Sequence, residues 1–369
     1  MKLAELEPDT QSILARFGFD SIRFEELRRR VSTRELSPAS NVVSGAVEPP
    51  RAADVNRIPE TGSSDWHEAR EAGLAALRDG RVGQIVLAGG MATRFGGVVK
   101  GVVEAVDGRS FLDWKLTATA RLADEVGAEI PVGLMTSFAT DVDTRAHVHG
   151  LDVPPPAFFS QSVSLRLTGD GELFEEEDGT PSLYAPGHGD LLEAFRRSGV
   201  LAGFRERGVE HVAVSNVDNL GARLDPVVVG SHLLAGRAMT TEVARKEGDM
   251  GGAPARVDGR LGLLEAPEFP PGFDHARIAV FNTNTATFSL DALDRDFGLR
   301  WLHVSKQVDG REAVQLERLY HHASWELETM YLEVPRAGSR GRFFPIKEPA
   351  DLERSRAHLR EMLAASVLD

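Results

Sequence analysis

The sequence predicts an α/β protein: a mostly parallel sheet flanked by helices, with a small antiparallel subsheet and an N-terminal helical extension. Three observations predict it. Short apolar runs alternate with amphipathic stretches of helical length from about residue 65 onward, which is the rhythm of βαβ units. One run, Ile85-Val86-Leu87-Ala88, carries no charge, as a strand buried on both faces requires, and passes straight into Gly89-Gly90. Asp-Gly pairs at 170–171 and 258–259 signal hairpin turns, and hence an antiparallel insertion.

The elements follow in order. Residues 9–31 read as one or two helices with Ile13, Leu14, Phe17, Ile22, Phe24, Leu27 and Val31 turned inward. Residues 37–64, rich in Pro, Ser and Gly, read as an irregular connection, so that 1–64 forms the extension and linker and 65–369 the main α/β domain. Asp65 with Glu68 is placed to cap a helix running to about Arg78. After the strand at 85–88, the pattern predicts helices over 111–126, 139–148, 191–202 and 226–234, and strands over 131–135, 157–160 and 211–215. Pro349 opens a last helix reaching about Ala364.

Composition narrows the function. The chain has 369 residues, 42% hydrophobic, enough for a large core. No apolar stretch approaches the length of a membrane span, and the N-terminus lacks a signal-peptide core, so the expectation is a cytoplasmic protein without a membrane partner. With no cysteine, thiolate catalysis and thiolate metal sites are excluded. A formal net charge of −14 argues against a nucleic-acid partner. The one basic triplet, Arg28-Arg29-Arg30, reads as the solvated face of a helix. An acidic protein that handles phosphates must concentrate its cations locally, which directs attention to Lys and Arg in glycine-rich loops.

The segment after Leu87 is such a loop. Gly89, Gly90, Gly96 and Gly97 allow close approach of a ligand to the main chain, and Arg94 and Lys100 add positive charge for phosphate oxygens. It is neither a P-loop, since Gly101 rather than Ser or Thr follows Lys100, nor a dinucleotide fingerprint, since Ala92 at the third position after Gly89 leaves no G-x-G-x-x-G. Five further segments look unlike packing material, and several follow predicted strands: Leu134-Met135-Thr136-Ser137, Phe159-Ser160-Gln161-Ser162, Pro186-Gly187-His188-Gly189-Asp190 just before a helix, Ser215-Asn216-Val217-Asp218-Asn219, and Phe281-Asn282-Thr283-Asn284 beyond an apolar run. In open α/β sheets ligands bind beyond the carboxyl ends of the strands.

Taken in order with Val-Gln-Leu-Glu at 314–317 and Arg-Phe-Phe-Pro-Ile-Lys at 342–347, these segments resemble the eukaryotic-type UDP-glucose pyrophosphorylase family over roughly residues 84–359. The resemblance implies a Rossmann-like nucleotidyltransferase sheet of the glycosyltransferase-A kind. It implies transfer of a uridylyl group from UTP to a hexose 1-phosphate, glucose 1-phosphate first, with Mg²⁺ as cofactor. N-acetylglucosamine or galactose 1-phosphate is the alternative sugar, and a nucleotide-sugar-binding regulator without turnover the alternative class. Carried over residue by residue, Leu87, Ala88, Gly89 and Gly90 would hold the nucleoside through the main chain, Gln161 would read the uracil edge, and Met135 and Gly187 would lie against it. Arg94, Lys100 and Lys347 would hold phosphates, Asp218 the metal, and His188, Asn216, Asn282 and Asn284 the sugar hydroxyls. Glu317 has no assigned role. The chain departs from the family pattern at Val98-Val99-Lys100, where Gly-Pro-Lys is usual, and at Ala92, which replaces a glycine; Thr93-Arg94 is closer to the UDP-N-acetylhexosamine enzymes. The family's C-terminal β-helix domain has no counterpart in the sequence.

Overall fold

In the computed structural model, which describes residues 6–92, 97–249, 251–346, 349–366 and 368, the central feature is an eight-stranded sheet. In chain order its strands are β1 (Val55–Arg57), β2 (Val82–Leu87), β3 (Val132–Thr136), β4 (Ala157–Ser160), β5 (His211–Asn216), β6 (Met239–Arg245), β7 (Val280–Ser289) and β8 (Thr329–Glu333). Across the sheet they lie β1-β8-β6-β7-β5-β2-β3-β4. Every pairing is parallel except those of β7, which runs antiparallel to both β5 and β6.

Besides a four-residue turn at Pro38–Asn41, the helices in chain order are α1 (Pro8–Arg16), α2 (Ser21–Ser32), α3 (Ser64–Arg78), α4 (Phe111–Val126), α5 (Asp141–His149), α6 (Leu191–Arg197), α7 (Val200–Glu206), α8 (Pro226–Ala235) and α9 (Pro349–Ala364). All six residues of β2 are buried, because helices cover both faces. Ile85 and Leu87 pack with Phe195 of α6 and Phe204 of α7, while Val86 and Ala88 pack with Leu112 and Leu116 of α4 and Leu359 of α9. Successive strand side chains point to opposite faces, so one uncharged run serves two cores.

The expected α/β class and mostly parallel sheet are therefore found, with differences in detail. The 9–31 region is two helices, and Ile22 is 83% exposed rather than inward, because the α2 face that packs carries Phe24, Leu27 and Val31. Ser63, not Asp65, caps α3, accepting from the Trp66 amide at 3.1 Å. The 191–202 stretch is broken at Gly199, whose φ of +82° ends one helix and starts the next. Within the stretch read as an irregular connection, β1 pairs in parallel with β8. Asp258-Gly259 turns a hairpin between strands at 253–257 and 260–264, as expected, whereas Asp170-Gly171 closes only a single bridge between Leu167 and Leu173. A second long hairpin, 302–308 with 311–317, turns at Asp309-Gly310, a pair not singled out in the sequence.

Helices α1 and α2 pack Leu14, Phe17, Phe24, Leu27 and Val31 against Val163, Leu165, Leu167, Val314 and Leu316. The extension thus forms the back wall of the segment that follows β4.

Candidate functional site

The parallel pairings put the last residues of β2, β3, β4 and β5 at one rim, with Leu87 opposite Met135 and Asn216, and Thr136 opposite Ser160. Because β7 runs the other way, its beginning arrives at the same rim and carries Asn282 and Asn284 there.

The glycine loop is tied at both ends. Ala88 N–H donates to Met135 O at 2.8 Å, and Val217 N–H donates to Leu87 O at 3.1 Å. Ser137 Oγ donates to Gly89 O at 2.9 Å, and Lys100 N–H to Gly90 O at 3.3 Å. A Cβ on Gly89 would lie 2.0 Å from Gln161 Nε2, so glycine is required for the Gln161 amide to lie against the loop. Gln161 is 6% exposed and its Oε1 is buried without a partner. An orphaned buried acceptor marks a place where a ligand donor would be satisfied.

Lys100 and Asp218 form an ion pair, both side chains partly exposed. Asp218 also accepts the Ile346 amide through its main-chain oxygen at 3.4 Å. Next to it, Asn219 clamps the same strand-like segment, donating to Arg342 O at 3.0 Å and accepting from Phe344 N–H at 2.9 Å. Beneath this loop lies Lys115 of α4, 2% exposed, donating to Ser215 Oγ at 3.1 Å and to Ala222 O at 2.7 Å. Burial, with the Arg342 guanidinium, pushes its ammonium down to about 7.

The opposite side of the rim is a run of amides and imidazoles. Asn284 has φ of +56° at an irregularity in the β6–β7 pairing, and this left-handed backbone aims its side chain at β5. Its Nδ2 donates to Asn216 Oδ1 at 2.9 Å, and its own Oδ1 is buried without a partner. Its amide N–H donates to Asn282 Oδ1 at 3.0 Å.

Gly187, with φ of +88°, and Gly189 bring the Pro-Gly-His-Gly loop against Arg318, where a Cβ on Gly189 would lie 2.4 Å from the carbonyl carbon. His188 follows from that approach. Its Nδ1 accepts the Tyr320 amide at 3.3 Å, which leaves the proton on Nε2. Burial, with His321 beside it, holds this imidazole down to about 3, so it stays a neutral donor across the physiological range. Asp190 of the same loop accepts from the Ser162 amide at 2.8 Å and from the Ser162 hydroxyl, and pairs with Arg318.

The structure thus brings Leu87, Ala88, Gly89, Gly90, Lys100, Gln161, Gly187, His188, Asn216, Asp218, Asn282 and Asn284 to one rim. The Met135 side chain is fully buried in the core with Phe159 and Leu191, and its carbonyl accepts the Ala88 amide of the loop. Arg94 and Lys347 lie outside the described residues. Ser137 and Asp190 lie in segments singled out in the sequence but given no role there; missed altogether were Lys115, His321 and Glu265, whose Oε1 lies 3.1 Å from His321 Nε2. A carboxylate closing the apolar run Leu263-Leu264 was the signal for the last of these.

The chain is similar to known proteins in sequence and in fold. The UTP–glucose-1-phosphate uridylyltransferase family model matches residues 23–367. Among curated relatives, the UTP–glucose-1-phosphate uridylyltransferase of Astragalus penduliflorus is 32% identical over 291 residues, covering 72% of this chain and 60% of its own length. The probable enzyme of that name from Schizosaccharomyces pombe is 27% identical, covering 83% of this chain and 62% of its own. The chain thus spans about three fifths of the length of these relatives. Among solved structures, UDP-glucose phosphorylase of Trypanosoma brucei superposes with a TM-score of 0.76 at 22% identity, covering 92% of this chain and 77% of that one. The uridine diphosphate N-acetylglucosamine pyrophosphorylase of the same organism gives a TM-score of 0.73 at 19% identity, covering 89% and 75%. These two likenesses speak to the fold, whereas the family match extends over most of the sequence; on it, the chain belongs to the UTP–glucose-1-phosphate uridylyltransferase family.

Proposed function

We propose that this protein transfers the uridylyl group of UTP to glucose 1-phosphate. The observation that carries this reading is the division of the rim: a glycine loop with an amide-reading Gln161 on one side, a cluster of Asn216, Asn282, Asn284 and His188 on the other, and the Lys100–Asp218 pair with them. A phosphate oxygen of the sugar attacks the α-phosphorus of UTP, a new P–O bond forms, and the bond to the β-phosphate oxygen breaks, releasing pyrophosphate. Such a step is governed by alignment and by neutralisation of phosphate charge.

Main-chain groups at 87–90 and Gln161 would orient the nucleoside, and Lys100 would turn from Asp218 to phosphate oxygens. Arg94 and Lys347 are proposed as further phosphate-holding cations on sequence grounds. His188, Asn216, Asn282 and Asn284 would hold the hexose hydroxyls. Among the described residues no group of three or more His, Asp or Glu could by itself hold a metal ion. Asp218 alone fits Mg²⁺, which binds through one or two carboxylates plus substrate phosphates. When bound there, Mg²⁺ would neutralise triphosphate charge.

Purified protein mixed with UTP, Mg²⁺ and glucose, galactose or N-acetylglucosamine 1-phosphate is expected to release pyrophosphate fastest with glucose 1-phosphate. A faster rate with another sugar would reassign the substrate. UTP binding without pyrophosphate release from any of them would replace the enzyme with a nucleotide-binding regulator.

A further inference from the structure

His321 lies in the 3₁₀ segment Tyr320–Trp325, 2% exposed, with its ring 5.6 Å from that of His188. It touches both Asn282 and Glu265, and the hydrogen-bond directions around it can be fixed one after another. The Asn284 main-chain N–H can only donate, so the atom of Asn282 that receives it is the amide oxygen. The Asn282 nitrogen then faces His321 Nδ1, at 3.2 Å, and must donate to it. Nδ1 is therefore unprotonated and the proton sits on Nε2, 3.1 Å from Glu265 Oε1. That N–H is not aligned on the carboxylate well enough for a hydrogen bond. Burial alone would raise the Glu265 carboxyl, but the adjoining His321 imidazole outweighs it and holds it below its ordinary value.

We propose, on the reading that this rim takes the sugar of a nucleotide sugar, that His321 is a positioning residue that sets sugar specificity by locking the Asn282 amide in one orientation. The carboxylate favours the proton on Nε2, and the bare Nδ1 then holds the Asn282 nitrogen, the donor end of an amide whose oxygen the Asn284 N–H already holds. With its oxygen committed to Asn284 and one N–H committed to His321, Asn282 has a single N–H left for a hydroxyl. Asn284, whose nitrogen is committed to Asn216, offers its oxygen. His188 adds an N–H donor. The rim is thereby a fixed pattern of donor, acceptor, donor. Freed from His321, the Asn282 amide keeps only the contact of its oxygen with the Asn284 N–H and can swing about it, so that its remaining N–H no longer points to one place.

The two kinds of amide side chain separate this role from mere packing. Asparagine at 321 can put its oxygen near the place of Nδ1 and keep the lock. Glutamine carries its amide out to the place of Nε2 and loses it. Calorimetry with UDP-glucose and with UDP measures how much the sugar adds to affinity. The wild type and His321→Asn are expected to show the same ratio within about threefold. His321→Gln and His321→Leu should lose at least tenfold of it with UDP affinity unchanged, and the KM for glucose 1-phosphate should rise in parallel while the KM for UTP holds. A Gln variant that keeps the wild-type ratio, or an Asn variant that loses as much as Leu, overturns the proposal. If the wild type binds UDP-glucose but releases no pyrophosphate from UTP, uridylyl transfer fails as the function while the affinity ratios still decide the role of His321. If it binds UDP-glucose no better than UDP, the proposal is overturned.

Discussion

Asn284 joins backbone strain to function in one residue. Asparagine tolerates the left-handed region that its φ of +56° occupies, whereas a Cβ without a polar partner there costs about 1–2 kcal/mol. Asn284→Ala is expected to lose roughly that much stability in urea unfolding, and Asn284→Gly less, since glycine adopts this φ freely. Both should raise the KM for the sugar phosphate, because both remove the amide that meets Asn216. A variant Ala that melts and turns over like the wild type would refute both. Lys115 gives a pH prediction. Its folded value is about 7 against an ordinary 10.5. Between those values the unfolded chain holds a proton that the folded chain has released, so stability rises with pH across that window, by up to about 1.4 kcal/mol per unit, and gains nothing further below it. Measured against Lys115→Met by urea unfolding at pH 7 and pH 9, the wild type should gain roughly 2 kcal/mol on the basic side. A flat difference would show that the ammonium stays charged.

Among the elements, the N-terminal helices have a part that their sequence did not show. Phe17 O, at the end of α1, accepts the Val163 amide at 3.0 Å, two residues from Gln161. Arg23 of α2 donates to both oxygens of Glu193, at 3.1 and 3.3 Å, Glu193 meets Arg318, and Arg318 meets Asp190, which holds Ser162. Asp190→Ala leaves a buried guanidinium short of a partner and should cost about 3 kcal/mol in chemical denaturation, with a raised KM for UTP. A loss under about 1 kcal/mol would mean that Glu193 alone suffices. The legibility of elements follows the same physics. β2, β3, β4 and β5 were readable because uncharged runs end in glycine or short polar side chains. β6 was not, because its buried Thr240, Thr241 and Glu242 imitate a surface segment, and Glu242 is tolerated only through its pairing with Arg342. β7 was read only as an apolar run before Asn282, since its reversed direction depends on tertiary pairing. The amides at 216, 282 and 284 were legible as polar strand ends, but their mutual bonds and the part of His321 were not, because the contact between Asn282 and His321 spans 39 residues.

On the scale of the whole molecule, an acidic chain keeps Lys100 at the rim beside a carboxylate, the place proposed for the phosphates of UTP. Ligand that binds only the folded state stabilises it by about 2.7 kcal/mol at a hundred times its dissociation constant. UTP with Mg²⁺ at that excess should therefore raise the melting temperature by a few degrees, and Asp218→Asn should abolish most of the rise. An unchanged shift in the variant would remove Asp218 from nucleotide binding. The resting Lys100–Asp218 contact has a further consequence. A charge already committed to a tethered partner offers little to passing anions, and free phosphate must compete with a neighbour at high local concentration. A visitor that brings both negative oxygens and its own divalent counter-charge can satisfy the two side chains together. On the proposed function the closed pair would work as a turnstile, screening solutes by whether they carry both signs of charge before any bond is made or broken.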